Sequence, residues 1–325
     1  MNYIKIRGKQ NIIVSKSKMN FIVFLHLYNI DQLNEWITCL NTFYSLNQQH
    51  NISLYINIPV GDNLKSCFLN KALSVDNILI YDFQNCIDDA NICIIKAIAA
   101  ECILKIKIKS HFLVSENKGV DIGGFLNFLN IMKLKKIECD FLIKLHTKSK
   151  DVWRQYLCKI LHTKYEVEKL RQYDMISSML FQYPNPLQLY EKETNDFHIR
   201  QICKKFMIPY QEKFRFVPGT MFMCSRKIID KLMSFDLVAA YNDLNDINSK
   251  DKNWMRIMSD KVIFEHHCKH NNIDLDSNKY IDYGNNFALE KVNKTGIRDG
   301  QIEHAWERVF GLVTENLGSK FLIIN

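Results

Sequence analysis

The chain has 325 residues, 47% of them hydrophobic and 24% charged, which suits one large domain with a real core and excludes a disordered chain. With only 11 Gly and 5 Pro, collagen-like and long low-complexity segments are excluded as well. The formal charge of +8 would attract polyanions, but no block of consecutive basic residues gathers it, so no nucleic-acid partner is expected.

Residues 1–19 read as a basic lead-in, and 20–325 as a single domain. Apolar β-type runs follow at Phe21–Leu27, Ile52–Ile58, Ile78–Tyr81, His111–Val114 and Phe141–Leu145. Amphipathic helical stretches alternate with them at Asp31–Ser45, Cys93–Leu104 and Phe125–Leu134, with Asp31 at an N-cap and Glu35 in the first turn. A polar helical region then runs from Val152 to about Tyr173, and Tyr183-Pro184-Asn185-Pro186 marks a turn. Phe214–Cys224 reads as a β-type segment interrupted by Pro218-Gly219, with a helix from Arg226 and an acidic, Asn-rich loop over 242–252. A last helix is expected over Gln301–Asn316 and a last strand over Phe321–Ile324. Strand–helix alternation with near-continuous apolar strands predicts an α/β fold: a Rossmann-like, mostly parallel sheet flanked by helices, with helical additions in the second half.

The 10 cysteines include no C-x-x-C pair, so free thiols in a reducing, cytoplasmic setting are expected. His266, His267, Cys268 and His270 lie close together, but their spacing matches no standard zinc pattern. No apolar run approaches the ~18 residues that span a bilayer, so no transmembrane segment is expected, while peripheral association with a membrane stays open. Phe21–Leu25 leads into His26 and Asn29 without a small-residue cleavage site and reads as a buried strand rather than a signal peptide.

Three groups of residues could carry chemistry. Lys144, His146 and Lys148 alternate at the end of a strand, so they share a face. Such a set suits an anion such as a nucleotide diphosphate; it also fits an ordinary solvated strand end. Asn117, Gly119 and Asp121 lie in a polar turn with Gly123 and Gly124, where small residues permit tight turns and close approach of a ligand. Asp121 could cap the following helix or accept hydrogen bonds from a base or ribose. His304, Glu307 and Arg308 are i, i+3 and i+4 on one helix, so Glu307 could orient His304 as a general base, or the three could form a surface ion-pair stripe. Asp274-Leu275-Asp276 is a literal Asp-x-Asp without a strand before it, and it reads as a solvated loop rather than a metal site.

Five segments in order resemble the rhamnan synthesis protein F family of glycosyltransferases. They are Phe24-Leu25-His26-Leu27-Tyr28, Asn117–Gly123, Leu142–Ser149 with Trp153-Arg154, Pro218-Gly219-Thr220-Met221-Phe222, and Asp299-Gly300 with His304–Arg308. Val120, Gly124 and Met223 depart from the family's usual Arg, Pro and aromatic residue. The resemblance implies a GT-A-like, family 2 type fold with donor recognition in 20–150 and acceptor recognition and catalysis in 151–325. It implies transfer of a sugar, rhamnose or another deoxyhexose, from a dTDP-, UDP- or GDP-sugar to a glycan or polysaccharide, with inversion. His26, Tyr28, Asn117, Gly119, Asp121, Lys144, His146, Lys148, Arg154, Gly219 and Arg308 would then bind substrate or donor. His304 would be the base, with Glu303 and Glu307 beside it. Lys144-x-His146-x-Lys148 would replace the cation that other GT-A enzymes hold on Asp-x-Asp. The alternative is a catalytically inactive carbohydrate- or nucleotide-binding module on the same fold.

Overall fold

A computed structural model describes residues 18–60, 80–82, 91–147, 151–184, 191–244 and 302–324. Lys148, Asp274–Asp276, His266–His270, Asp299-Gly300, residues 245–252 and nearly all of the basic lead-in lie outside them. The described chain runs β1 (Asn20–His26), α1 (Leu33–Leu46), β2 (Asn51–Val60), β3 (Ile80–Asp82), α2 (Ile92–Lys105), β4 (Lys109–Glu116), α3 (Val120–Lys135) and β5 (Phe141–His146). It continues with α4 (Asp151–Leu157), α5 (Val167–Leu170), β6 (Met175–Ser177), β7 (Phe181–Tyr183), α6 (Glu191–Lys205), β8 (Phe214–Phe216) and β9 (Phe222–Ser225). It closes with α7 (Arg226–Met233), α8 (Leu237–Asn242), α9 (Ile302–Asn316) and β10 (Phe321–Ile323).

Eight strands form the main sheet, in the order β10-β6-β9-β5-β1-β2-β4-β3. All run parallel except β9, which is antiparallel to both neighbours. The α/β, mostly parallel expectation therefore holds. Alternate strand residues serve two cores. Phe21, Val23, Leu25, Ile56, Val114 and Ile143 pack with α1 and α2 on one face. Ile22, Phe24, Tyr55, Leu113 and Leu142 pack with α3, α6, α7 and α9 on the other. No helix among the described residues is long and apolar enough to cross a membrane.

Three expectations need correction. Helix α3 begins at Val120, five residues before the apolar pattern at Phe125, so Asp121 lies in its first turn and left-handed Gly119 holds the N-cap position. The start is hidden because Gly123 and Gly124, poor helix formers, occupy that first stretch. The helix expected over 152–173 is broken into α4, a 3-10 turn at Cys158–His162 and the short α5. Fully buried Asn47 causes the break. Its amide donates to Thr163 O and its carbonyl accepts from Tyr165 N–H, so those backbone groups are bonded outside any helix. Residues 214–224 are two strands in different sheets: β8 pairs only with β7, while β9 enters the main sheet. Pro218 lacks an N–H, and Gly219 (φ 75°) and Thr220 (φ 54°) are both left-handed, so the chain turns between them. Helix α6 has no counterpart among the sequence expectations.

Helix α9 is buried nearly all round. Phe310 meets Phe125 of α3 at 5.6 Å and Phe222 of β9 at 5.7 Å, both edge-to-face, and Trp306 packs on Phe206, just past the end of α6. Such aromatic pairs contribute about 0.5–1.5 kcal/mol each beyond burial. Strand β8 crosses α9 at Gly311, where a Cβ would fall 2.2 Å from Arg215 O and 2.6 Å from Phe216 Cα. Gly311 thus sets the rotation of α9, and Glu307, one turn earlier, faces the same way. Gly311→Ala should lower stability by about 1–3 kcal/mol in urea melts, because backbone cannot yield as a side chain can. Gly318→Ala, where nothing lies within 4 Å, should show only the smaller penalty of its left-handed backbone.

Candidate functional site

The face of the sheet beneath α3 turns polar at its carboxyl edge. His26 and His146 end β1 and β5 as register partners, and Asn57 of β2 is paired with His26 on the other side. Ser115 of β4 completes the row, accepting from Asn57 Nδ2 at 3.0 Å. All four side chains are buried. Period-2 alternation puts each of them on the side that carries Phe24, Tyr55, Leu113 and Leu142 farther down the strands.

Lys144 sits two residues before His146 on the same face and is 0% exposed. Its ammonium donates to Asp121 Oδ2, to Thr220 O at 3.1 Å and to Thr220 Oγ1 at 2.9 Å. Thr220 Oγ1 in turn donates to Asp121 Oδ2 at 2.5 Å. The expectation that Lys144 offers its charge to a bound phosphate is therefore corrected. A lysine on a buried strand needs a partner of its own, and the first turn of α3 supplies it.

His146 Nε2 lies 2.7 Å from Gly219 O, so that nitrogen carries the hydrogen, and Nδ1 lies 3.6 Å from Asp121 Oδ1. Gly219 N–H donates to Glu307 Oε1 at 2.7 Å. One residue, Gly219, bonded through its N–H and its C=O and followed by a second left-handed residue, thus links the end of β5 to α9. The glycine turn near 119, the strand end near 146 and the helix bearing His304 do converge.

The catalytic expectation for α9 changes in detail. Glu307 is turned to Gly219, and among the described residues no hydrogen bond joins it to His304; its second oxygen is 3.5 Å from Arg308 Nη1. Arg308 is buried, donates to His304 O and lies 5.0 Å over the Phe216 ring. Glu303 is buried and His304 half-buried.

Other expected residues lie elsewhere or serve packing. Arg154 of α4 makes a forked pair with Glu35 of α1 (Nε to both oxygens at 2.9 Å, Nη2 at 2.7 Å), on the layer opposite α3. In this structure its guanidinium is thus taken up by α1. Tyr28 is 43% exposed just past β1, where its N–H and that of Asn29 bond Thr147 Oγ1. Protein contacts alone require small residues at Gly119 and Gly123. A Cβ on Gly119 would lie 2.4 Å from Leu244 Cδ1, and one on Gly123 would lie 1.9 Å from Lys118 O. Asn117 is buried, and its Oδ1 has no hydrogen-bond partner.

Asn57, Ser115 and Thr220 were not singled out from the sequence. The usable signal was polar residues near the carboxyl ends of four apolar runs: His26, Asn57 and His146 align in register, and Ser115 lies two residues farther along β4. Among the described residues no group of three His, Cys, Asp or Glu side chains could hold a metal ion. Asp121, the carboxylate bonded at this strand end, already receives Lys144 and Thr220, so the donor set here does not fit a divalent cation. In comparisons with known proteins, the chain matches no family model and no curated protein.

Burial lowers the pKa of His26 to about 4; the Asp121 carboxylate opposes this, and the Lys144 ammonium adds to it. The folded ring stays neutral while the unfolded chain takes up a proton below about 6.5. Stability should therefore fall as pH drops from 6.5 toward 4, by about 3 kcal/mol in all, from this group. Urea midpoints across that window should show the slope, and His26→Gln should flatten it. Lys144→Met should cost about 3–5 kcal/mol in the same assay, since it strands a buried carboxylate. Lys144→Met combined with Asp121→Asn should recover much of that loss.

Proposed function

We propose that this chain is a GT-A-type glycosyltransferase that moves a sugar from a nucleotide-activated donor to a hydroxyl of a glycan or polysaccharide. The observation that carries the reading is the link His146–Gly219–Glu307. It joins the carboxyl end of β5, beside the change in strand order where α/β sheets take ligands, to the acid- and histidine-bearing helix α9. The five resembling segments give the same assignment.

In this reading the donor lies over the ends of β1 and β5, with the acceptor between it and α9. His304 takes the proton of the acceptor hydroxyl as that oxygen bonds the anomeric carbon, and the bond from that carbon to the diphosphate oxygen breaks. Direct displacement inverts the configuration. Fixed donors aimed at developing charge on the leaving group are a large catalytic term. His146, whose Nε2–H is held by Gly219 O, acts here by positioning the Gly219 turn. Lys144 acts indirectly, by holding Asp121 and Thr220 so that the Gly219 peptide stays in place. The free thiols of the seven described cysteines favour a cytoplasmic site of action.

A second reading has one observation in its favour. Glu307 is committed to Gly219 N–H, as a purely structural anchor would be, which suits a carbohydrate- or nucleotide-binding module without turnover.

A thermal-shift panel of UDP-, GDP- and dTDP-sugars, with and without Mn²⁺, tests the shared premise; a true ligand raises the melting temperature in proportion to occupancy. Release of nucleoside diphosphate in the presence of glycan acceptors then separates enzyme from binder. His304→Ala should reduce turnover by about 10²-fold or more while leaving donor affinity nearly unchanged. A panel in which no nucleotide sugar stabilises the fold would sink the transferase reading and the nucleotide-binding form of the second.

A further inference from the structure

His26 ends β1 at the point where the sheet reverses its growth. From β1 the chain builds β2 and β4 to one side, then returns to lay β5 on the other. In open α/β sheets this is where a ligand sits, outside the carboxyl ends of the strands.

The ring is gripped from two directions. Asn57 Nδ2 lies 3.0 Å from His26 Nδ1 and 3.0 Å from Ser115 Oγ. An amide nitrogen only donates, so Asn57 gives one hydrogen to each, and His26 Nδ1 is an acceptor. The hydrogen of the neutral ring is therefore on Nε2. Helix α3 presses on the same ring at Gly124, where a Cβ would sit 2.4 Å from Nδ1 and 3.1 Å from Cε1. The imidazole is thus fixed in tautomer and in orientation.

Nδ1 is turned to Asn57 of β2, which leaves Nε2–H as the second polar group of the ring. It has no hydrogen-bond partner, although the residue is only 2% exposed. Leaving a buried donor without an acceptor is unfavourable, and an arriving acceptor removes that penalty. Asn117 Oδ1, past the end of β4 and 4% exposed, is a second buried atom in the same condition.

The surrounding charges decide what kind of acceptor fits. The Lys144 ammonium is bonded to Asp121, and Arg308 lies 3.5 Å from Glu307. Asp121 also occupies the first turn of α3, where the helix dipole would otherwise draw an anion. An anionic oxygen beside His26 would meet the Asp121 carboxylate without a surplus of positive charge among these residues.

We propose that His26 Nε2–H binds an uncharged oxygen of the ligand, a base carbonyl or a sugar hydroxyl. The carboxyl end of β1 then receives the nucleoside or the sugar of the donor rather than its diphosphate. This rests on the glycosyl-transfer reading, and the test separates the two.

Calorimetry on the full chain first identifies a nucleotide sugar that binds. The nitrogen-15 resonance of His26 Nε2 is then followed while three probes are added separately: the matching nucleoside, the matching monosaccharide and inorganic pyrophosphate. The resonance should move with the nucleotide sugar and with one of the two neutral probes, which names the source of the oxygen, and should stay put with pyrophosphate. His26→Phe should weaken the nucleotide sugar about 10-fold, the worth of one such bond, and leave pyrophosphate affinity unchanged, while His26→Gln, which keeps an N–H, should restore most of the loss. If either variant fails to fold, the titration of the unsubstituted chain still decides. Movement with pyrophosphate, or no movement while the nucleotide sugar binds, overturns the assignment and leaves glycosyl transfer standing. Absence of any nucleotide-sugar binding defeats that reading first and this one with it.

Discussion

The buried ion pair between Lys144 and Asp121 is the constraint on which the rest of the site depends. Lys144 lies on a central strand with no exposed surface, and an ammonium there would be untenable without a carboxylate against it. Asp121 can reach it only because α3 starts at Val120 and lays its first turn over the ends of β1 and β5. Thr220 bonds to both members of the pair: its hydroxyl and its carbonyl oxygen accept from Lys144, and its hydroxyl donates to Asp121. To do so it adopts a left-handed backbone that a β-branched residue ordinarily avoids. The turn at Gly219 and Thr220, and through it the position of Glu307, follows from satisfying one buried charge.

Two glycines translate that arrangement into helix positions. Gly124 lets α3 descend onto His26 and Asn57, and Gly311 lets α9 descend onto β8. At each place a single methyl group would separate layers that otherwise touch. The aromatic contacts of Phe310 with Phe125 and Phe222 then lock α9 against α3 and β9. The two helices that face the strand ends are therefore held by close packing rather than by surface ion pairs, which contribute little.

The charge balance of this region shapes its chemistry. Asp121 offsets Lys144, Glu307 lies beside Arg308, and His26 is neutral. A site of that kind favours directional hydrogen bonding over bulk attraction for anions, in spite of the chain's net charge of +8. The overall positive charge describes the surface, and it does not predict the character of the buried polar row. Sugar-handling chemistry is compatible with such a row, since hydroxyl groups are recognised by fixed donors and acceptors one at a time.

Much of the architecture was legible from local pattern. The apolar runs of β1, β2, β4 and β5, the helices α1, α2 and α9, and the parallel, doubly covered sheet all follow from periodicity, because burial on both faces demands near-continuous apolar strands. The alternation Lys144-x-His146 correctly puts both residues on one face. What sequence could not decide was the partner of each group. Lys144 reads the same whether an external phosphate or Asp121 neutralises it, and Glu307 reads the same whether it turns to His304 or to Gly219. The break after α4 was equally hidden, since it depends on Asn47 reaching from a distant helix end. Periodicity is a property of neighbouring residues and survives in the one-dimensional string. Pairing of buried charges and hydrogen bonds is settled by which segments pack against each other, and only the folded chain brings residues 121, 144, 220 and 307 together.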